Sequence, residues 1–246
     1  MSRSPIPTRA NRRDAAACDP STDARGAGCV LLRAFASSWP DLRCSVRLLV
    51  ATTNPGKVRE IRQILDGLDV DLLTLADMPA VEAPEETGAT FEENARLKAL
   101  YYAAASGELT VAEDSGLAID ALDGAPGIES ARFGGASSTY PQKFDILFER
   151  LQDVPTADRT AHFVCALALA EAGRILFDAR GTVEGEITEA PRGTGGFGYD
   201  PIFFYPPFNA TLAESADRKT TISHRGVAFR KLRDYLEGRQ RARTNA

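Results

Sequence analysis

The feature that most restricts what this chain can fold into is an alternation, from Val46 onward, of short apolar runs with segments of helical periodicity. Residues 46–52 and 70–75 are rich in Val and Leu, as buried strands are. Between them, Asn54 suits the N-cap of a helix and Pro55 suits its first position, and apolar residues then recur at helical spacing. Strands that alternate with helices predict an α/β fold.

The rest of the chain predicts further elements that would enlarge this sheet. Helices are predicted at residues 90–105, at residues 140–151 and in a final segment that begins after Ser223. Strands are predicted at residues 109–113 with a continuation over 116–119, at 161–170 and at 174–187. The run at 161–170 is long and apolar, which suits a central strand. Because a strand-rich block follows the initial alternation, we expect a mixed, elongated sheet with flanking helices.

Residues 1–45 differ from the rest of the chain. They contain seven Arg and four Asp, so this segment is +3 while the whole chain is −5. The segment is rich in Pro, Gly, Ser and Ala and has few apolar runs, which is typical of chain that cannot form a core. We therefore predict a folded domain over residues 46–240, preceded by either a disordered extension or a stretch upstream of the true start codon.

The cysteines support the same division and indicate the compartment. Cys18, Cys29 and Cys44 lie in the first 45 residues, and Cys165 lies alone in an apolar run, where a small core residue is expected. No spacing indicates a disulfide framework, which favours a reducing compartment such as the cytoplasm. The sequence has no run of about 18 apolar residues for a membrane span. Its net charge of −5 argues against binding nucleic acid by bulk electrostatics.

Five polar segments interrupt the apolar pattern, and the first joins a predicted strand to a predicted helix. It consists of Thr52, Thr53, Asn54, Pro55, Gly56 and Lys57. Backbone N–H groups at a helix N-terminus bind anions and Lys57 adds a positive charge, so this segment is a candidate phosphate site. The alternative is an ordinary capped helix start with Lys57 in solvent.

The second and third polar segments are acidic. Glu85 and Glu86 precede a predicted helix, where acidic residues are common because of the helix dipole alone. Glu113 and Asp114 lie where a strand is predicted to end, which would let both side chains reach one site. Such carboxylates suit Mg²⁺, which takes one or two of them with waters and phosphate oxygens, and one could act as a general base. The alternative is a polar turn between two strands.

The fourth and fifth polar segments combine glycines, aromatic rings and cations. Residues 193–198 contain four glycines, and Phe197 and Tyr199 could stack on a flat ring that the backbone approaches closely. Three polar residues surround the start of the final helix: Lys219, His224 and Arg225. They could hold phosphates or a base carbonyl. A flexible surface loop is the alternative for the fourth segment, but the aromatic and apolar residues at 197–204 are too apolar for one. For the fifth segment the alternative is ordinary helix capping with the charges in solvent.

In this order the five segments, with residues 123–128 and 130–132 between them, resemble the family of non-standard purine nucleoside triphosphate pyrophosphatases, the inosine/xanthosine triphosphate pyrophosphatases. The resemblance covers residues 46–236. It implies two lobes around a deep substrate cleft, a long mixed sheet and a homodimer. It also implies Mg²⁺-dependent hydrolysis of ITP, dITP and XTP to the monophosphate and pyrophosphate, which would remove them from the nucleotide pool.

The resemblance further implies roles for single residues. Residues 52–57 would hold the triphosphate, and Ser115 would contact the substrate. Asp114 would accept a proton from the attacking water, and Glu85 and Glu113 would hold Mg²⁺ with it. The residues alone leave open whether Glu85 or Glu86 is the metal ligand. The base and sugar would contact Phe197, Gly198, Tyr199 and Asp200, with Phe197 stacking on the base. The base and phosphates would also contact Lys219, His224 and Arg225.

Two other functions fit parts of the pattern. A related enzyme that cleaves methylated or pyrimidine nucleotides would use the same metal chemistry. A nucleotide-binding sensor would bind its ligand without turnover, but it would not need the adjacent acids Glu113 and Asp114 beside Lys57.

Overall fold

The computed structural model of the chain describes residues 46–244, and the predictions for residues 1–45 lie outside them. Within the described range, seven strands form one sheet: β1 Val46–Val50, β2 Val70–Thr74, β3 Leu109–Ile119, β4 Thr160–Glu171, β5 Arg174–Ile187, β6 Phe203–Tyr205 and β7 Ala210–Thr211. The α-helices of these residues are α1 Pro55–Ile64, α2 Phe91–Ser106, α3 Tyr140–Arg150, α4 Lys219–Ile222 and α5 His224–Thr244. None of the helices in this range is long and apolar enough to cross a membrane.

The sheet is mixed, as predicted. Its strand order is β2-β1-β3-β4-β5-β6-β7, so β4 occupies the central position expected for residues 161–170. Strand β1 pairs in parallel with both β2 and β3, whereas every pair from β3 to β7 is antiparallel. The parallel part corresponds to the initial alternation, because a helix must return the chain between parallel strands.

Helix starts follow the local signals in the sequence. The side chain of Asn54 accepts hydrogen bonds from the backbone N–H groups of Gly56 and Lys57 at the start of α1. The hydroxyl of Thr90 accepts from the N–H of Glu93 at the start of α2. These caps satisfy donors that a helix leaves unpaired, which is why the starts were predictable.

Strand β3 contradicts one prediction. We expected Glu113 and Asp114 at the end of a strand, but β3 runs without a break from Leu109 to Ile119. It pairs with β4 along its length, with Glu113 opposite Leu167 and Asp114 opposite Ala166. The long apolar partner strand keeps the polar residues in the ladder, so they lie mid-strand.

The core lies on both faces of the sheet. Helices α1 and α5 pack on one face, where Ile61 and Phe229 contact a cluster that includes Val111 and Cys165. Helix α2 packs on the other face, where Ala99 belongs to a cluster with Ala112. A third cluster joins α3 to the far half of β3 and β4 and to the segment around β6. Alternate residues of β3 therefore face different helices.

Candidate active site

A cavity of about 360 Å³ is lined by residues of α1, α2, β3, α4 and α5 and of the segment before β6. It brings together most of the residues predicted from sequence: Thr52, Thr53, Asn54, Lys57, Glu113, Asp114, Ser115, Phe197, Gly198, Tyr199, Asp200, Lys219, His224 and Arg225. Pro55 and Gly56 form the first turn of α1 next to it. Glu85 is exposed and does not line the cavity, whereas its neighbour Glu86 does.

The α1 end of the cavity has the features of an anion site. Strand β1 ends at Val50, and the four residues that follow lead into the N-terminus of α1, the positive end of the helix dipole, where Asn54 caps the N–H groups of Gly56 and Lys57. The Lys57 ammonium lies 3.3 Å from Oε1 of Glu113, and its side chain is 18% exposed. The cation is therefore paired yet still accessible from the cavity.

Asp114 lies on the α2 side of the sheet with two partners that the sequence analysis missed. Nζ of Lys98 is 3.0 Å from Oδ1 of Asp114 and 2.8 Å from Oε1 of Glu86. Nη1 of Arg132 is 3.1 Å from Oε2 of Glu86. The amide of Asn94 also donates to Asp114, at 3.4 Å. Polar residues at positions 94 and 98 of a helix face that is otherwise rich in Ala were the available signal.

The surroundings of Asp114 and Glu86 shift the pKa values of the two carboxylates in opposite directions. Burial raises the pKa of Asp114 above its ordinary value, and Lys98 offsets only part of that rise. Burial also acts to raise the pKa of Glu86, but the ion pairs with Lys98 and Arg132 lower it overall. Asp114 is therefore the more basic carboxylate, which suits a proton acceptor.

Glu113 lies on the opposite side of β3 and faces α1 and α5. Its Oε1 accepts from Nε of Arg225 at 2.9 Å, and its Oε2 accepts from Nη2 of Arg225 at 3.3 Å. The thiol of Cys165 donates to Oε2 at 2.9 Å. Although burial opposes it, the charges of Arg225 and Lys57 hold the pKa of Glu113 well below its ordinary value. Cys165 is buried as predicted, and this contact adds a polar role.

A buried chain of ion pairs continues from Arg225 to the glycine-rich segment. Arg225 pairs with Glu60 of α1, which the sequence analysis also missed. Glu60 lies 2.9 Å from Nζ of Lys219, and Lys219 lies 2.7 Å from Oδ2 of Asp200. Asp200 in turn accepts from the N–H of Phe197 at 2.8 Å. Charges of alternating sign thus connect the two ends of the cavity.

Aromatic rings form the other end of the cavity. Phe197 is partly exposed, and Nζ of Lys219 lies 4.4 Å from its ring centroid. A side chain at Gly56 would come within 2.8 Å of the Phe197 ring, so that ring lies directly against α1. Tyr199 is 4% exposed and its hydroxyl donates to the carbonyl of Ser130, so it supports the cavity wall.

His224 is buried between the rings and the cations. Its ring stacks on Phe163 at a centroid distance of 4.9 Å, and its Nδ1 has no hydrogen-bond partner among the residues that the structure describes. Burial, with the charges of Arg225 and Lys219, holds its pKa well below the ordinary value, so the imidazole is neutral. The other histidine, His162, lies on β4 outside the cavity, with its Nδ1 3.6 Å from Oδ1 of Asp120.

The carboxylates of Glu86 and Asp114 suit a metal ion whose other ligands are water and substrate oxygens. Within residues 46–244, no group of three or more His, Cys, Asp or Glu side chains could hold a metal by itself. Glu86 and Asp114 nevertheless share one cation, the ammonium of Lys98. Two carboxylates directed at one positive charge match the needs of Mg²⁺, which takes its other ligands from phosphate and water.

Comparison with known proteins identifies close relatives. The model of the Ham1 family matches residues 48–235. The dITP/XTP pyrophosphatase of Exiguobacterium sibiricum is 47% identical over 188 residues, which cover 76% of this chain and 95% of the relative. The one from Geobacter sulfurreducens is 48% identical over 191 residues, which cover 77% and 96%.

Solved structures of similar proteins have the same fold as this chain. The HAM1 protein from Coxiella burnetii superimposes with a TM-score of 0.71 at 37% identity, covering 78% of this chain and 99% of that one. A nucleoside-triphosphatase, dITP/XTP pyrophosphatase, from Mycobacterium abscessus gives a TM-score of 0.63 at 40% identity, covering 76% and 98%.

Proposed function

Because this chain belongs to the Ham1 family, we propose that it is a nucleoside triphosphate pyrophosphatase acting on the non-standard purine nucleotides ITP, dITP and XTP. The observation that carries the proposal is that the start of α1, the carboxylate of Asp114 with its raised pKa and an aromatic end all line one cavity. The reaction adds water across the bond between the α and β phosphates and releases monophosphate and pyrophosphate.

Asp114 is the proposed proton acceptor. It would take a proton from the attacking water as the new P–O bond forms and the α–β bridging bond breaks, and pyrophosphate would leave with the electrons of that bond. Lys57 and Lys98 line the cavity and Arg132 pairs with Glu86 of its lining, so we propose that these three cations hold the phosphates. Their positive charges would stabilise the negative charge that develops on the leaving pyrophosphate.

Glu86 and Asp114 are the proposed ligands of Mg²⁺. When bound, Mg²⁺ would neutralise charge on the phosphate oxygens. Lys98 and Arg132, which now pair with these carboxylates, would then be free to contact phosphate instead. Glu85 is exposed, so we assign the role predicted for it to Glu86.

The aromatic end would recognise a 6-oxopurine. Phe197 is the ring with an accessible surface, and Lys219 supplies a donor near it. Oδ2 of Asp200, an acceptor at this end, already receives Lys219 and the N–H of Phe197. A 6-amino group would find that oxygen already engaged, and an unpaired buried donor is costly, which would disfavour ATP. A pocket without a partner for the 2-amino group would disfavour GTP in the same way.

We also propose that the protein is a homodimer and lies in the cytoplasm. The dimer is proposed because the family resemblance implies it. Light scattering on the purified protein would measure the mass of the assembly. A monomer at working concentrations would contradict the dimer without affecting the proposed activity.

The deciding experiment is pyrophosphate release from ITP, XTP, GTP and ATP, with and without Mg²⁺. We expect Mg²⁺-dependent release from ITP and XTP and far less from GTP and ATP. Preference for a methylated or pyrimidine nucleotide would favour the related-enzyme alternative. Binding of ITP with no release would favour the sensor.

A further inference from the structure

We propose that Glu113 is a positioning residue that fixes Lys57 and Arg225 in the cavity, and that it does not ligate the metal. This inference rests on the proposed function, because it concerns how the same cavity holds a nucleoside triphosphate. It differs from the expectation from sequence, in which Glu113 and Asp114 share one metal.

The first argument is the direction of each side chain on β3. Neighbouring residues of a strand point to opposite faces of a sheet. Glu113 meets Lys57 of α1 and Arg225 of α5, whereas Asp114 meets Asn94 and Lys98 of α2. Because β3 continues through both residues, no turn brings the two carboxylates to the same face.

The second argument is that both oxygens of Glu113 are occupied by donors of the protein itself. Oε1 receives Nε of Arg225 at 2.9 Å and lies 3.3 Å from Nζ of Lys57. Oε2 receives Nη2 of Arg225 at 3.3 Å and the thiol of Cys165 at 2.9 Å. The side chain of Glu113 is 2% exposed, so a metal ion would have to displace buried partners to reach it.

The third argument is what Glu113 organises. Arg225 is 1% exposed and lies between Glu113 and Glu60, and Glu60 also holds Lys219. A buried guanidinium needs its full set of acceptors, because an unpaired buried charge is costly. Glu113 therefore sets where Lys57 stands at the phosphate end. Through Arg225 it also helps to set where Lys219 stands beside Phe197 at the other end.

Cys165 belongs to the same unit from the neighbouring strand. Cys165 lies on β4 opposite Ser115 of β3, which is two positions from Glu113. The thiol of Cys165 donates to Oε2 of Glu113. The thiol is buried, and burial raises its pKa well above the ordinary value, so it stays protonated and acts as a donor. The contact orients the Glu113 carboxylate toward Arg225.

The experiment compares Glu113→Gln with Glu86→Gln in two measurements that do not need turnover. The first is the affinity for Mn²⁺, by electron paramagnetic resonance. The second is the affinity for α,β-methylene ITP in EDTA, where no metal is present. We expect Glu113→Gln to leave Mn²⁺ affinity within about twofold and to weaken metal-free nucleotide binding by roughly tenfold, the effect of losing a charged hydrogen-bond partner. Glu86→Gln should weaken Mn²⁺ binding and not metal-free nucleotide binding.

Loss of Mn²⁺ affinity in Glu113→Gln, or metal-free nucleotide binding as tight as in the unmodified protein, would overturn the proposal. If Glu113→Gln does not fold, Cys165→Ala and Cys165→Ser replace it. The alanine variant should weaken metal-free binding and the serine variant, which keeps a donor, should restore it; equal binding by both would count against the proposal. Failure of the unmodified protein to bind α,β-methylene ITP at all would instead refute the proposed function.

Discussion

At the scale of single residues, neighbours in the chain differ more in their surroundings than in their chemistry. Glu113 is surrounded by cations and a thiol, which lower its pKa, whereas burial raises the pKa of Asp114. Glu85 and Glu86 differ in the same way, since one is exposed and the other pairs with Lys98 and Arg132. Roles at this scale therefore follow from which face a side chain occupies.

Replacement of Asp114 tests the proton acceptor. Asp114→Asn keeps the shape of the side chain but removes its basic oxygen. We expect kcat for ITP to fall by roughly 10²–10⁴-fold, the usual contribution of a general base. Glu85→Gln is the matched control, because it removes an exposed carboxylate outside the cavity. Near-normal kcat of Asp114→Asn at saturating Mg²⁺ would remove Asp114 from this role.

His224 predicts how stability depends on pH. Its folded pKa lies well below the ordinary value of 6.5, so as the pH falls below 6.5 the unfolded chain binds a proton that the folded chain does not. Stability is therefore lost below about pH 6.5, by up to about 1.4 kcal/mol per pH unit from this residue. Above that pH the residue has no such effect.

Urea unfolding of the protein and of His224→Gln at pH 7.5 and 5.5 measures this effect. The variant should lose less stability between the two pH values than the unmodified protein does. The comparison with a variant is needed because Asp114 and Asp200 have raised pKa values and act in the opposite direction. Equal losses in the two proteins would show that His224 is not buried as a neutral imidazole.

At the scale of elements, the approach of α5 to the sheet depends on one glycine. A side chain at Gly181 of β5 would clash with the carbonyl oxygen of His224 and come within 2.7 Å of the backbone nitrogen of Ala228. Only glycine lets the first turns of α5, which carry His224 and Arg225, lie this close to β5.

Gly181→Ala should therefore destabilise the protein by about 1–3 kcal/mol, the usual cost of overpacking. Gly238→Ala is the matched control, because it lies in α5 and a side chain there would meet nothing within 4 Å. It should be neutral or stabilising by up to about 1 kcal/mol, since Ala favours a helix more than Gly does. Equal chemical denaturation midpoints for the two variants would contradict the packing argument.

The elements that could be predicted from sequence are those with local signals. The starts of α1 and α2 follow caps, and β4 and β5 follow apolar or extended patterns within the segments that form them. The continuity of β3 was not predictable, because pairing with β4 overrides its polar residues. Glu60 was not predicted as a site residue because its role depends on a contact that is distant in sequence: its partner Arg225 is 165 positions away.

At the scale of the whole molecule, the family match indicates which part of the chain should be sufficient for folding and activity. The Ham1 model matches residues 48–235, and the alignment with the relative from Exiguobacterium sibiricum covers 95% of that protein with 76% of this chain. Residues 1–45 therefore lie outside the region that the family model matches. Among the buried side-chain nitrogen and oxygen atoms that line the cavity, Nδ1 of His224 alone lacks a hydrogen-bond partner within the described residues 46–244.

We therefore expect a chain that begins at Val46, after an initiator Met, to keep the melting temperature and the pyrophosphatase activity of the full chain. The reason is that β1, which starts at Val46, pairs with β2 and β3 and forms part of the core. Thermal unfolding and ITP hydrolysis of the two proteins, at equal concentrations, make the comparison. A control that begins at Thr52 lacks β1, and it should fail to fold because the buried residues Leu48 and Leu49 are lost. A clear drop in melting temperature for the chain from Val46 would show that residues 1–45 contribute to stability, and a drop in activity alone would place them in the function of the cavity.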